Sequence, residues 1–324
     1  MLRLGKLDND DLDRLVLKKF RRVRPESLSS PTIGQDCAVV DLGSDLLVLS
    51  CDPITSASVA HLGRLTVHVS CNDAAAAGAE PVGLLVTLLM PPTGTMEQIS
   101  QIADDLSAAA QLANVDILGG HTEVTDAVTR AVTSATVIAR QARNRAMRGM
   151  RPGDEIVMTK YAAVEGTTIL AEDFADRLSS IPVELLQSAR TLTGSLSIVA
   201  ESRIAMRNGA VGMHDVTEGG VLGASWELGF ANHCAVEIDT KKIPVLPETR
   251  ALCAALSLDP LRLIGSGSLL IACRDGEALC AALIESGIPA AVIGRAIEGT
   301  QSFVDGEPLG EPHADELYRM YAQA

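Results

Sequence analysis

The chain predicts an α+β protein of two domains, and three observations carry that reading. Its 324 residues are long for one hydrophobic core and suit two. Strand-like and helix-like runs mix in both halves. Near the middle, the basic residues 140–152 pass into the turn-like Met150-Arg151-Pro152-Gly153-Asp154. We place the boundary there, giving domains 1–150 and 151–324.

Residues 8–20 read as a helix, with acids at its start and lysines at its end to suit the dipole. The basic run Lys18, Lys19, Arg21, Arg22 and Arg24 follows, read first as a solvated helix end. Strands follow at 37–42 and 45–52, joined by a Gly43-Ser44 hairpin turn. Residues 61–78 form a helix, 81–90 an apolar strand ended by Pro91-Pro92, and 96–113 a helix with Met96, Ile99, Ile102, Ala103 and Leu106 at helical spacing. A short strand at 115–118 runs into Gly119-Gly120, and 129–139 is a strand rich in Val and Thr. In the second half, 155–159, 235–238, 268–273 and 291–295 read as strands. Helices are expected at 166–173, 195–208, 218–228, 247–257 and 276–286, with 209–212 breaking the second of them.

Composition narrows the functional classes. Net charge is −14, a poor prior for nucleic acid or an anionic membrane surface. Phosphates of any nucleotide ligand would need metal ions or local cations. Seven cysteines with no C-x-x-C pair argue against a disulfide frame or zinc ribbon. No window holds eighteen apolar residues and the N-terminus lacks an apolar signal core, so a cytoplasmic protein is expected.

No P-loop, nucleophile elbow or H-E-x-x-H is present. Five acidic sites beside Gly, Ala or Pro remain. Asp36 lies in G-Q-D-C-A and Asp52 in S-C-D-P, both also ordinary turn chemistry. Asp73 lies in V-S-C-N-D-A-A-A-A-G-A-E-P. On one helix it falls on the apolar stripe of Leu62, Leu65, Val69 and Ala76, where a carboxylate needs a neutralising partner such as a cation. Alternatively T-V-H-V-S is a strand and Asn72 or Asp73 an N-cap. Gly119-Gly120-His121-Thr122-Glu123 offers backbone close approach and metal-ligating side chains. Met213-His214-Asp215-Val216-Thr217-Glu218-Gly219-Gly220 falls at a helix start. It suits either a phosphate bridged by Mg²⁺ or a simple Thr217 cap. Together, hard oxygen donors and glycines are what Mg²⁺–triphosphate binding needs.

In order along the chain, G-Q-D-C-A-V-V, C-D-P, C-N-D-A-A-A-A-G-A-E-P, G-G-H-T-E, R-P-G-D and M-H-D-V-T-E-G-G-V resemble the AIR synthase (PurM-like) superfamily. HypE-like hydrogenase maturation members share the C-N-D helix, the H-D-V-T-E-G-G segment and the run at 244–261. The resemblance implies an N-terminal domain that binds ATP and pairs strands with a second copy into a β-barrel, followed by a C-terminal α/β sandwich. It implies Mg²⁺ on Asp36, Asp73 and Asp215, with Asp52 a further acidic position used in the kinase branch, and nucleotide contact by Gly119, Gly120 and Thr122; Glu123 joins the metal candidates by its own chemistry, and Asn72 the nucleotide candidates. His214 and Glu218 are candidates for substrate contact or proton transfer. Three departures stand out. Gln35 replaces a common Asp, and His121 follows the glycines where Asp or Glu is usual. The chain also ends D-E-L-Y-R-M-Y-A-Q-A, without the terminal cysteine on which HypE carries a carbamoyl group.

The expected function is a homodimeric, ATP- and Mg²⁺-dependent enzyme that activates an oxygen of a small or amide-type substrate by phosphorylation. One alternative is a kinase of the thiamine-monophosphate kinase type, its acceptor phosphate met by Arg148 and Arg151 or the Lys18–Arg24 run. The other is a nucleotide-binding partner protein without turnover.

Overall fold

The computed structural model describes residues 9–15, 17–19, 25–29, 32–33, 37–55 and 57–322. It is an α+β chain of two compact units, one built on residues 37–146 and the other on residues 147–322 together with the N-terminal residues 9–19. The N-terminal helix is shorter than expected. It is α1 (Asn9–Leu15), followed by a 3-10 turn, Leu17–Lys19. Lys18 pairs with Asp13, whereas Arg21, Arg22 and Arg24 lie outside the described residues.

The first unit runs β1 (Ala38–Asp41), β2 (Asp45–Ile54), α2 (Val59–Ala76), β3 (Glu80–Met90), α3 (Met96–Ala113), β4 (Asp116–Val124) and β5 (Val132–Ala142). Its sheet has the order β1-β2-β5-β3-β4. All pairings are antiparallel except β3 with β4, whose crossover is α3. The β1–β2 turn works as expected: Gly43 takes φ +112, and its N–H donates to Asp41 Oδ1 at 2.9 Å. A Thr95–Gln98 capping box starts α3. At Gly63 the two helices touch so closely that a Cβ would sit 2.5 Å from the Leu106 nitrogen.

The second unit runs β6 (Glu155–Thr159), α4 (Val164–Asp173), α5 (Val183–Thr191), α6 (Val199–Arg207), β7 (Gly212–Asp215), α7 (Gly220–Ala231), β8 (Ala235–Ile238), α8 (Pro247–Leu256), β9 (Leu269–Cys273), α9 (Gly276–Glu285), β10 (Ala290–Ile297), β11 (Ser302–Val304), β12 (Glu307–Leu309) and α10 (Tyr318–Ala322). Its sheet has the order β12-β11-β8-β10-β6-β9-β7. One core joins α7 to the sheet through Val221, Leu228, Val236, Leu270 and Ile293. A second gathers Leu170, Leu178, Leu252, Leu263 and Met320.

Two elements differ from expectation for visible reasons. Residues 195–208 are not one helix: Lys160 Nζ donates to the carbonyls of Ser195 at 2.8 Å and Ser197 at 2.7 Å. Lys160 thus ties down the segment between the 3-10 turn Leu192–Ser195 and α6, which starts at Val199. The same ammonium forms a buried ion pair with Glu201 at 2.7 Å. His214 and Asp215 end a fully buried strand, β7, where the sequence suggested only a break and a helix start. Among the described residues no helix is long and apolar enough to cross a membrane. All seven cysteines are free.

Candidate functional site

Helix α2 decides how Asp73 is presented. Asn72 and Asp73 lie within it rather than capping it, and both are buried. Thr66 and Thr133 share a hydrogen bond of 2.6 Å, and Gln141 donates to the Ala77 carbonyl at 2.8 Å. Thr133 pairs with Ile54, and Gln141 with Leu46. Helix α2 therefore runs antiparallel to β2 across the sheet. Ser70 and Asp73, four and seven residues after Thr66, share its stripe and turn towards the same sheet face.

On that face, β2 presents Leu46, Val48, Ser50 and Asp52 at the strand period of two. The two polar members are under-satisfied: Ser50 Oγ and Asp52 Oδ2 are buried, with no hydrogen-bond partner among the described residues. An orphaned buried acceptor costs roughly 1–3 kcal/mol, and a cation or its bound water removes that cost. Asp73 also acts on Cys71, whose thiol is pushed up to about 12 by burial first and by the Asp73 charge second. Cys71 is thus held as a thiol beside Asp73. Asp36, with Gly34 and Gln35, lies outside the described residues.

These residues fit Mg²⁺ in one respect and limit it in another. Hard carboxylate and hydroxyl oxygens suit it, and one of them is an orphaned carboxylate oxygen. Among the described residues, however, no three His, Cys, Asp or Glu side chains converge to hold a metal alone. Mg²⁺ is ordinarily bound by one or two carboxylates together with substrate phosphates and waters, so two acids are enough.

Gly119, Gly120, Thr122 and Glu123 lie on β4, an edge strand exposed at every position. Gly119 and Gly120 take φ +151 and +146 beside a register shift against β3. A Cβ on Gly120 would sit 1.7 Å from the Val86 carbonyl oxygen. The close approach these glycines serve within the unit is therefore to β3. His121 Nε2 lies 3.3 Å from Glu123 Oε2, both exposed.

In the second unit, His214 Nδ1 donates to the Asp215 carbonyl at 2.8 Å. That leaves Nε2 as the proton-accepting nitrogen, 3.7 Å from Glu227 Oε2. Asp215 is buried. Thr217 does not cap α7: the N-cap is Gly219 at φ +84, with no side-chain bond. The Thr217 carbonyl is taken by the Gly220 and Gly265 N–H groups. A Cβ on Gly220 would lie 2.5 Å from the Leu261 carbonyl, so this glycine pair also serves backbone packing. Glu218 accepts the Tyr318 hydroxyl at 2.8 Å. Arg148 is committed to Asp154, which it grips at 2.8 and 2.9 Å, so its guanidinium is spent on the R-P-G-D turn.

Sequence reasoning passed over Ser50, Glu165 and Asp315. Glu165 sat one residue outside a helix read to begin at Gly166, and the structure starts α4 at Val164. A lone acid amid Ala, Val, Gly and Thr was the available signal.

Family comparison agrees with the order of motifs. The AIR synthase related protein N-terminal domain matches residues 34–141, and the C-terminal domain of the same family matches 151–307. The chain belongs to the AIR synthase-related family. It is 29% identical over 252 residues to carbamoyl dehydratase HypE of Cupriavidus necator, covering 75% of this chain and 70% of that one. Among solved structures it is similar to HypE of E. coli, described as a hydrogenase maturation protein, with TM-score 0.74 at 24% identity over 96% of this chain and 99% of that one. It is also similar to AaThiL complexed with AMPPCP and TMP, with TM-score 0.75 at 19% identity over 95% and 98%. These neighbours share the PurM-like fold.

Proposed function

We propose that this protein is a homodimeric, ATP- and Mg²⁺-dependent enzyme that activates an oxygen of a small substrate by phosphorylation. The observation that carries the reading is the polar face between β2 and α2, where Asp52 Oδ2 and Ser50 Oγ are buried with no hydrogen-bond partner among the described residues, beside the stripe of Asp73. The HypE relative is named a dehydratase. AMPPCP, bound in AaThiL, is an ATP analogue that resists cleavage.

Asp52 and Asp73, with Asp36, would hold Mg²⁺, which supplies charge neutralisation on the phosphates. The protein's own part is to position. The α2–sheet packing fixes the Asp73 backbone, and β2 fixes Asp52. Asn72 and the β4 residues Gly119, Gly120 and Thr122 are assigned to the nucleotide, and Glu123 to metal. In the second unit, His214 offers Nε2 as a base and Glu218 contacts the acceptor, with Asp215 assigned to metal. Strand β4 supports the dimer: with Val82 and Leu85 of β3, its Ile117, Leu118 and Val124 expose an apolar edge that a second copy would cover.

Asp73→Asn tests the reading. Metal-dependent ATP turnover should vanish while circular dichroism and dimer mass stay unchanged; normal turnover would sink the assignment. A phosphorylated product that accumulates would identify the kinase type. Free phosphate with a dehydrated or cyclised product would identify the synthase type.

A further inference from the structure

A cluster of carboxyls in the second unit extends beyond the residues assigned so far. Glu165 enters from the first turn of α4, Glu218 from the turn before α7, and Asp315 from the segment before α10. Glu165 hydrogen-bonds Ser266. Asp315 accepts the N–H of Gly219 at 2.7 Å and of Leu317 at 2.8 Å, and that of Ile264 as well. Among the described residues, Asp315 and Glu218 act on Glu165, and Glu218 on Asp315, each as a like charge. Of the cations nearby, Arg319 donates to Glu316 at 2.6 Å, and Arg262, 3.7 Å from Asp259, borders the neighbouring cavity.

A second observation is independent of the clustering. Glu165 is only 8% exposed, and its Oε2 has no hydrogen-bond partner among the described residues. A cavity of about 200 Å³ opens beside the group, bordered by Gly219, Arg262, Gly310, Pro312, Ala314 and Glu316. Gly219 follows Glu218, and Ala314 and Glu316 flank Asp315, so two of the segments that carry the cluster also border the cavity.

We propose that this cluster binds the protonated amine of a small organic ligand that enters through the cavity beside Gly219. The occupant is an ammonium rather than a metal. A divalent ion held without substrate phosphates needs several protein oxygens converging at about 2.1 Å, and no group of three His, Cys, Asp or Glu side chains able to do so exists among the described residues. An ammonium instead spreads three N–H donors over separate acceptors at about 2.8 Å. Burial pushes Glu165 up to about 7 and Asp315 to about 6, so without a cation the cluster retains protons. An incoming ammonium favours the ionised carboxylates, so binding strengthens as pH rises and releases protons. The facing groups are Glu165 from α4, Glu218 before α7, Arg262, Asp259 and Ser266 from the loop before β9, and Glu311, His313, Asp315, Glu316 and Tyr318 from the C-terminal segment.

The proposal needs no nucleotide, so it is tested apart from ATP turnover. Calorimetry on the full chain would use n-propylammonium chloride, with propionamide as the neutral match and MgCl₂ as competitor. The amine should bind at pH 8, weaken roughly tenfold at pH 5, and give no signal as the amide. Glu165→Gln should weaken it by roughly tenfold, as expected for one charge-assisted hydrogen bond. If Glu165→Gln does not fold, the more accessible Glu218→Gln carries the test. No amine binding, equal binding of the amide, displacement by Mg²⁺, or wild-type affinity in the folded variants would overturn the proposal.

Discussion

Glu165→Gln should flatten the pH dependence of stability. The carboxyl titrates near 4.5 in the unfolded chain and at about 7 when folded, chiefly because burial penalises its charge. Between those values the folded chain holds a proton that the unfolded chain has lost. Stability therefore declines as pH rises above 4.5, and the cost is complete above about 7. At about 1.4 kcal/mol per pH unit, the total is about 3 kcal/mol. Glutamine stays neutral throughout and avoids this cost. Trp226, the chain's one tryptophan, packs against the core of the second unit and reports its unfolding. Urea melts at pH 5 and pH 8 should show the wild type losing about 3 kcal/mol more than the variant. Asp315 contributes a similar slope to both proteins and cancels in the comparison. An equal pH dependence in wild type and variant would refute the reasoning.

Three further outcomes follow from named contacts. Lys160→Met strands Glu201 as a buried, unpaired charge and should cost roughly 3–5 kcal/mol in the same fluorescence melt; a loss below 1 kcal/mol would mean the pair is solvated. Gly120→Ala must push β4 off the Val86 carbonyl and should lower the first unit's melting temperature by calorimetry, whereas an unchanged melt would show the bulge to be pliable. Leu118→Asp on the apolar β4 edge should convert a dimer to monomer by light scattering, and a wild-type chain that is already monomeric contradicts the proposed interface.

Local chemistry made most elements legible. The stripe through Leu62, Leu65 and Val69 allows one helix but leaves a strand with an Asn72 or Asp73 cap open; the structure makes it one helix, α2, with Asp73 buried within it. The Thr95–Gln98 cap and the apolar spacing behind it define α3. What escaped depended on partners distant in sequence. Strand β7 has four residues, too few for a period, and exists because β9 pairs with it. The segment before α6 is tied down by Lys160, about forty residues earlier. Only the fold shows that the backbone of Val86 lies against Gly120 and that of Leu261 against Gly220. Glu165 and Asp315 are 150 residues apart, so no spacing rule could join them.

Calorimetric titration of ATP, with and without Mg²⁺, into the wild type and into Asp52→Asn and Asp73→Asn tests the central claim most directly. The account predicts Mg²⁺-dependent binding by the wild type, weakened at least roughly tenfold in each folded variant. Binding that is indifferent to Mg²⁺, or unchanged in both variants, would contradict it.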